Sequence, residues 1–186
     1  MSILPQFAHG RRPGVMSARL LLLLGIHAFG TSAELDRLVA RAKSLVEEIR
    51  ECDVVILRDP RDLLPYLLRL GYNRQVALAT IAEVRHLAEF TIDHHFPIFV
   101  NAGSPHTQRI LRSWQEGQFP EEAARVMAAD LFHEYLHAAK GREECDAIRG
   151  HLTLLKRWRD EGLLHIAGPY IEAKASELRR MGCQPE

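Results

Sequence analysis

The run H-E-Y-L-H at residues 133–137 constrains this chain more than any other part of its sequence. On an α-helix, residues four apart share a face, so His133 and His137 would present their imidazoles side by side. Two imidazoles placed in this way can both bind one zinc ion at about 2.0–2.1 Å. Glu134 would point to the metal side and accept a proton from a zinc-bound water, whose pKa the metal lowers to roughly 7. The spacing therefore predicts a helix with two zinc ligands and a general base.

The flanks of this run favour a buried helix that ends shortly after it. Pro120 suits the first helical position, Glu121 and Glu122 suit the positive end of the helix dipole, and Gly141 suits a left-handed helix end. The neighbouring apolar residues are Leu131, Phe132, Leu136, Ala138 and Ala139. Because unpaired His and Glu are costly in apolar surroundings, these flanks favour a metal site over the alternative, a solvated surface helix.

Three acidic residues follow closely enough to supply a third ligand: Glu143, Glu144 and Asp146. The residues on one helical stripe with Glu144 are Ile148, Leu152 and Leu155. An acid on an apolar, core-facing stripe needs a partner, which zinc would supply. Glu143 aligns closer to the edge of the stripe and Asp146 with a more polar face. Glu144 is therefore favoured, with Glu143 and then Asp146 as alternatives, while Glu143 and Glu144 could instead only stabilise the helix N-terminus.

An H-E-x-x-H run followed by a Glu on a later helix resembles the gluzincin-type zincin peptidases. In that group the Glu often stands in an E-x-x-A motif, and residues 144–147 here read E-C-D-A. The resemblance covers about residues 120–155 and implies a zincin-like fold around the H-E-x-x-H helix. The small size of the chain is similar to that of minimal peptidases such as the ImmA/IrrE-type group.

The resemblance implies roles for four residues. His133, His137 and Glu144 would bind Zn²⁺, and Glu134 would be the catalytic base. The expected activity is hydrolysis of peptide bonds in a peptide or protein substrate by a metal-activated water. The chain departs from the pattern at Ile148, where an Asp or Asn is common. An inactive, zinc-stabilised binding or regulatory module therefore remains an alternative. Hydrolysis of a non-peptide amide is a further alternative, because the same ligands would support the same metal chemistry.

Zinc hydrolases usually need a further group that stabilises the oxyanion of the transition state. Candidates after the zinc site are His151, His165 and Tyr170. For each of them the alternative is an ordinary core or surface residue. The segment Asp93-His94-His95 is interpreted as a solvated loop, because adjacent side chains on an extended segment point to opposite sides.

Composition restricts the remaining possibilities. With 186 residues, 47% of them hydrophobic, the chain is expected to form one domain with a real core. A formal net charge of zero gives no electrostatic case for nucleic-acid binding, and no apolar stretch is long enough to cross a membrane. The chain has an odd number of cysteines, at residues 52, 145 and 183, so no disulfide framework is expected. Cys145 is interpreted as a small hydrophobic residue at a helix start.

The first 30 residues are interpreted as a signal peptide or an N-terminal helix. Basic residues precede an apolar run of about ten residues and then small residues, which favours export to the periplasm or beyond over a cytoplasmic location. The alternative is a helix that packs on the domain. The folded domain is expected over 31–186, with a capping box formed by Thr31 and Glu34.

The chain as a whole is expected to be a mostly helical α+β domain with two or three short strands. Helices are predicted over 32–51, 62–70, 74–90, 104–114, 121–140, 144–159 and 170–180, and strands over 53–57, 96–101 and 162–166. Pro97 near the start of the second strand indicates either an edge strand or a strand entrance. The resemblance would make 96–101 the edge strand that binds an extended substrate; an ordinary core strand is the alternative.

Overall fold

A computed structural model describes residues 33–165 and 168–183 of the chain. The candidate signal segment over 1–30 and Thr31 of the expected capping box lie outside the described residues. The helices are α1 (33–44), α2 (Leu64–Arg69), α3 (Arg74–Val84), α4 (Pro105–Glu116), α5 (Pro120–Lys140), α6 (Glu144–Asp160) and α7 (Gly168–Arg180), with 3₁₀ turns at Glu47–Ile49 and Pro60–Leu63. The strands are β1 (Val54–Leu57), β2 (Glu89–Ile92) and β3 (His95–Asn101). The predicted class, a mostly helical α+β fold with a small sheet, is confirmed.

The three strands form one mixed sheet in the order β1-β3-β2. β1 pairs with β3 in parallel, and β2 pairs with β3 antiparallel. The expectation that 96–101 is an edge strand is therefore wrong, because β3 lies in the centre of the sheet. Pro97 is accommodated there because the pairing of β2 with β3 is irregular between Phe90 and Ile92, opposite the start of β3.

The edge strand that faces the H-E-x-x-H helix is β2, in a segment whose start was predicted to be helical. α3 begins as predicted, with the Asn73 side chain accepting a hydrogen bond from the backbone N–H of Val76. It ends at Val84, six residues before the predicted end at Phe90. From Glu89 to Ile92 burial alternates, as it does on a pleated strand with one buried face. Asp93 and His94, both at positive φ, form the two-residue turn into β3.

The sheet lies between two apolar layers. Ile98 and Val100 of β3 pack into the larger cluster, which is built around α5 and α6. Phe99, on the opposite face, packs into a smaller cluster with residues of α2 and α3. This alternation along β3 places the sheet against α5 on one side, and it brings β2 next to the helix that carries the H-E-x-x-H run.

The prediction of a third strand over 162–166 is wrong for residues 162–165, the part of this segment that the structure describes. Residues 161–165 form turns and a bend after α6. Gly162 adopts φ +72°, and the backbone N–H of Leu163 donates to the carbonyl of Trp158. These contacts belong to a helix end and use the backbone groups that a strand would need.

A disulfide bond joins Cys145, at the start of α6, to Cys183, which follows α7. Their Cα atoms are 5.9 Å apart, although 38 positions separate them in the sequence. The expectation that the cysteines form no disulfide framework is wrong for this pair, since the fold brings together two helix ends whose proximity the sequence does not reveal. Cys145 also packs against the larger cluster, as interpreted. Cys52 is buried and carries a free thiol. Within the described ranges, none of the helices has the length and apolar character needed to cross a bilayer.

Candidate metal centre

The two histidines of the H-E-x-x-H run lie on the buried side of α5. His133 is 9% and His137 is 6% exposed, so both imidazoles face the interior and the floor of a cleft. α5 ends at Gly141, which adopts the left-handed conformation expected from the sequence, with φ +56°. The N–H of Gly141 donates to the carbonyl of His137, and the N–H of Arg142 donates to that of Leu136. This turn reverses the chain within a few residues of the second histidine.

The turn places Glu144 at the first position of α6, facing the two histidines. α6 packs closely on α5, and a Cβ added at Gly150 would lie 2.4 Å from Cδ1 of Leu136. The other two acids take other roles. Glu143 caps α6 with its backbone carbonyl, which accepts the N–H of Ala147, and Asp146 pairs with Arg149 at 2.7 Å. Of the three acids considered, Glu144 is the one that lies in the cluster with His133 and His137.

The two imidazole nitrogens and the two carboxylate oxygens of Glu144 are spaced as the ligand atoms of one tetrahedral ion would be. Nε2 of His133 and Nε2 of His137 are 3.2 Å apart. Oε1 of Glu144 lies 3.4 Å from Nε2 of His133, and its Oε2 lies 3.0 Å from Nε2 of His137. Two ligands that each bind a tetrahedral zinc at about 2.0–2.1 Å are separated by about 3.3 Å. The residues present therefore fit a zinc ion at the centre of this triangle.

The hydrogen bond on the far side of His137 sets its tautomer. Nδ1 lies 2.7 Å from the carbonyl oxygen of Arg142, which can only accept, so Nδ1 carries the proton and donates it. Nε2 then presents its lone pair to Nε2 of His133 and to the Glu144 carboxylate. Acceptors that converge on one point repel each other unless a cation or extra protons lie between them. Such an outer hydrogen bond is typical of metal-binding histidines.

The charges within the cluster shift the pKa values of Glu144 and His133. The pKa of the Glu144 carboxyl is lowered to about 2, first by its hydrogen bond to His133 and further by the charges of His133 and His137, against the effect of partial burial. Burial alone lowers the pKa of His133, but the hydrogen bond to Glu144 and the charges of Glu134 and Glu144 outweigh burial and raise it. The carboxylate of Glu144 is therefore ionised at neutral pH, as a zinc ligand must be.

Glu134 stands beside the cluster in the position expected of a base. Its Oε1 lies 3.8 Å from Nε2 of His133, and its side chain is 13% exposed. Burial raises the pKa of Glu134, against the opposing charges of His133 and His137. A carboxyl whose pKa is raised by burial, next to a candidate metal site and lining a cleft, suits general-base catalysis.

The cluster lies in a cleft of about 640 Å³, bounded by β2, α4, α5, α6 and α7. Two of the three residues considered for oxyanion stabilisation, His151 and Tyr170, line this cleft. His165 does not; it is exposed and pairs with Glu122 at 3.0 Å. His94, interpreted from the sequence as part of a solvated loop, reaches the cleft from the β2–β3 turn, with its ring centroid 5.2 Å from that of His137.

The inner wall of the cleft contains four polar residues that the sequence analysis missed: Glu89, His106, Asp130 and Lys174. Only Asp130 had a signal in the sequence, since it precedes Glu134 by four positions and so shares its face of α5. Asp130 accepts a hydrogen bond from the hydroxyl of Tyr170 at 2.5 Å, and its other oxygen lies 3.0 Å from Nε2 of His106. The other three belong to β2, α4 and α7, so only the tertiary fold brings them together.

Comparison of the chain with protein-family models, with curated proteins and with solved structures finds no match. The resemblance to zincin peptidases therefore depends on the motif residues themselves. The interpretation of function rests on the geometry of the metal centre and on the chemistry of the residues around it.

Proposed function

We propose that this chain is a zinc-dependent peptidase of the gluzincin type. The observation that carries the proposal is the triangle of His133, His137 and Glu144, whose donor atoms are separated by 3.0–3.4 Å. The side chains of the two histidines are 11% and 7% exposed, whereas that of Glu144 is 47% exposed. This asymmetry leaves one side of the centre open to the cleft, and an open coordination position is what separates catalytic zinc sites from structural ones.

The residues around the centre divide the chemistry between them. Zinc, when bound, supplies a Lewis acid that lowers the pKa of water and polarises a carbonyl. His137 is held in the ligating tautomer by the Arg142 carbonyl. Glu134 takes the proton of the attacking water and can pass it on to the leaving amine. Tyr170 lines the same cleft and would stabilise the developing oxyanion if its hydroxyl turned away from Asp130, to which it donates in this structure.

The position of β2 supports an extended peptide as substrate. β2 pairs with β3 on one side and forms an edge of the sheet on the other. Its residues Glu89, Phe90 and Thr91 line the cleft. The free N–H and C=O groups of an edge strand can pair with an incoming peptide, which would hold the scissile bond next to the metal centre.

The proposal is tested with Glu134→Gln, which keeps the shape of the side chain and removes the base. The variant should retain the zinc content of the wild type and lose about 10²–10⁴-fold in peptide hydrolysis. Cleavage is measured by mass spectrometry on a mixed peptide library, with and without chelator. Glu143→Gln is the matched control, because Glu143 lies outside the donor triangle, and it should leave cleavage unchanged.

The same experiment separates the peptidase from the two alternative functions. Full activity in Glu134→Gln would remove the proposed base. The inactive module is supported instead if the wild-type protein shows no chelator-sensitive cleavage while chelation greatly lowers its thermal stability. Chelator-sensitive turnover of small amides in the absence of peptide cleavage would identify a non-peptide amidase.

A further inference from the structure

A second group of metal-binding side chains lies at the inner end of the cleft. Glu89 comes from β2, His106 from α4 and Asp130 from α5. One ligand atom of each lies within 4.8 Å of the ligand atoms of the other two. Nε2 of His106 is 3.0 Å from Oδ2 of Asp130, a separation close to that between the donors of the first centre. Three elements far apart in the sequence thus converge on one point with two carboxylates and an imidazole.

His151 of α6 provides an independent observation at the same place. Its side chain is 1% exposed, and neither ring nitrogen has a hydrogen-bond partner among the described residues. Nδ1 lies 3.7 Å from Oδ1 of Asp130, which is too long for a hydrogen bond. A buried imidazole without partners is costly, and a cation bound beside Asp130 would give this one a partner.

Unlike Asp130, the Glu89 carboxylate has no ion pair among the described residues. Glu89 is half-buried, and the nearest hydrogen-bond donor to its carboxylate is the hydroxyl of Thr107 at 3.5 Å. Lys174 is the lysine of the cleft, but its ammonium pairs with Glu177 at 3.1 Å. A divalent cation between Glu89 and Asp130 would supply the missing charge.

We propose that Glu89, His106 and Asp130, completed by His151, form a second divalent-cation site in the cleft. Two imidazole nitrogens and two carboxylate oxygens suit Zn²⁺, and they also suit Mn²⁺ and Fe²⁺. The site shares no ligand with the first centre, and the rings of His151 and His133 are 6.1 Å apart. Its ligands belong to β2, α4, α5 and α6, so the ion would fasten the edge strand to three helices. The proposal does not depend on peptidase activity.

The test is Zn²⁺ titration of the full-length, chelator-treated protein by isothermal titration calorimetry, without an affinity tag that binds metal. The wild type should bind two equivalents. His133→Ala/His137→Ala should keep the second site, and Glu89→Gln/His106→Gln should keep the first, so each binds one equivalent. The combined fourfold variant should bind none. His86→Gln removes an exposed imidazole outside the cleft and should still bind two.

His151→Gln is the second, milder variant, because it leaves the His106–Asp130 pair intact. It should lower the affinity for the second zinc ion at least about 10–100-fold, the loss that follows even from removing a residue that only hydrogen-bonds to a metal ligand. It decides the question if Glu89→Gln/His106→Gln fails to fold by circular dichroism.

The proposal is overturned if the wild type binds one equivalent and His133→Ala/His137→Ala binds none, which would leave a hydrogen-bonded network only. It is also overturned if His151→Gln binds both equivalents with wild-type affinity. If the wild type binds one equivalent and His133→Ala/His137→Ala still binds it, the result counts against the zinc peptidase and supports the second site.

Discussion

Glu144 differs from the other members of the donor triangle in having about half of its side chain exposed. From the sequence, both Glu144 and the neighbouring Glu143 are candidates for the third ligand. In the structure, Glu144 rather than Glu143 lies within ligand distance of the two histidines. A Glu ligand contributes both a negative charge and an oxygen at bonding distance, so its loss weakens binding more than the loss of a nearby charge.

We therefore expect Glu144→Ala to lose zinc and Glu143→Ala to keep it. The reason is that Glu143 acts on α6 through its backbone carbonyl, which alanine retains. Zinc affinity is measured by competition with a coloured chelator for both variants in parallel. Equal affinities would exclude Glu144 as a ligand, and a larger loss in Glu143→Ala would reverse the assignment.

His151 makes the stability of the fold sensitive to acid. Burial lowers the pKa of its imidazole to about 3, against the opposing charge of Asp130. An unfolded chain binds this proton near pH 6.5, so the unfolded state is more protonated between about pH 6.5 and 3. The contribution of neutral His151 to stability is complete above pH 6.5 and is lost as the pH falls.

The prediction compares the wild type with His151→Gln in the presence of chelator. Between pH 6.5 and 4, the wild type should lose unfolding free energy more steeply, by up to about 1.4 kcal/mol per pH unit. Urea unfolding at a series of pH values measures this difference. Parallel curves for the two proteins would show that His151 is not buried in its neutral form.

At the scale of elements, the turn between α5 and α6 decides where Glu144, the proposed third ligand, lies. Gly141 has φ +56°, a conformation that costs a residue with a Cβ about 1–2 kcal/mol. Gly71, which follows α2, also has positive φ, at +90°, but it is not next to any of the proposed zinc ligands, whereas Gly141 lies between His137 and Glu144 in the chain.

We expect Gly141→Ala and Gly71→Ala both to lower the free energy of unfolding by about 1–2 kcal/mol. Only Gly141→Ala should also weaken zinc binding, because the strained turn shifts Glu144 relative to His137. Denaturant unfolding and chelator competition on the same samples separate the two effects. Unchanged zinc affinity in Gly141→Ala would mean that α6 is held in place by its packing alone.

Elements that are determined by signals within their own sequence were predicted well, and elements that depend on contacts with distant segments were not. The helix of the H-E-x-x-H run has its own start, stop and periodicity, so its bounds were predicted closely. β2 was missed because its first two residues, Glu89 and Phe90, were assigned to the end of the helix predicted over 74–90, and only pairing with β3 makes the segment a strand. The same holds for the site. His133 and His137 are placed by helical spacing and Glu144 by the short turn that follows, whereas Glu89 and His106 approach Asp130 only through tertiary packing.

At the scale of the whole molecule, the disulfide connects two walls of the cleft. α6 carries Glu144 and His151, and α7 carries Tyr170 and Lys174. The bond between Cys145 and Cys183 ties the start of α6 to the end of α7. It closes a loop of 38 positions in the sequence, for which the chain-entropy estimate is a stabilisation of about 4 kcal/mol.

Cys145→Ser/Cys183→Ser should therefore lower the free energy of unfolding by up to about 4 kcal/mol. Reductant should have the same effect on the wild type and no further effect on the variant, which is the internal control. Denaturant unfolding under both conditions measures this. Equal stabilities of the oxidised wild type and the variant would show that helix packing alone holds α7 against the cleft.

The uneven exposure of the donor triangle has a kinetic consequence. In the proposed zinc site, His133 and His137 would bind the ion from inside the fold, and Glu144 would bind it from the solvent side, where its side chain can rotate away without moving α5. An ion held in this manner is released through a side-chain rotation, so metal exchange is decoupled from global unfolding. Isotopically labelled zinc should replace the resident ion much faster than the native chain opens, and a small bidentate inhibitor has a direct route to the same face.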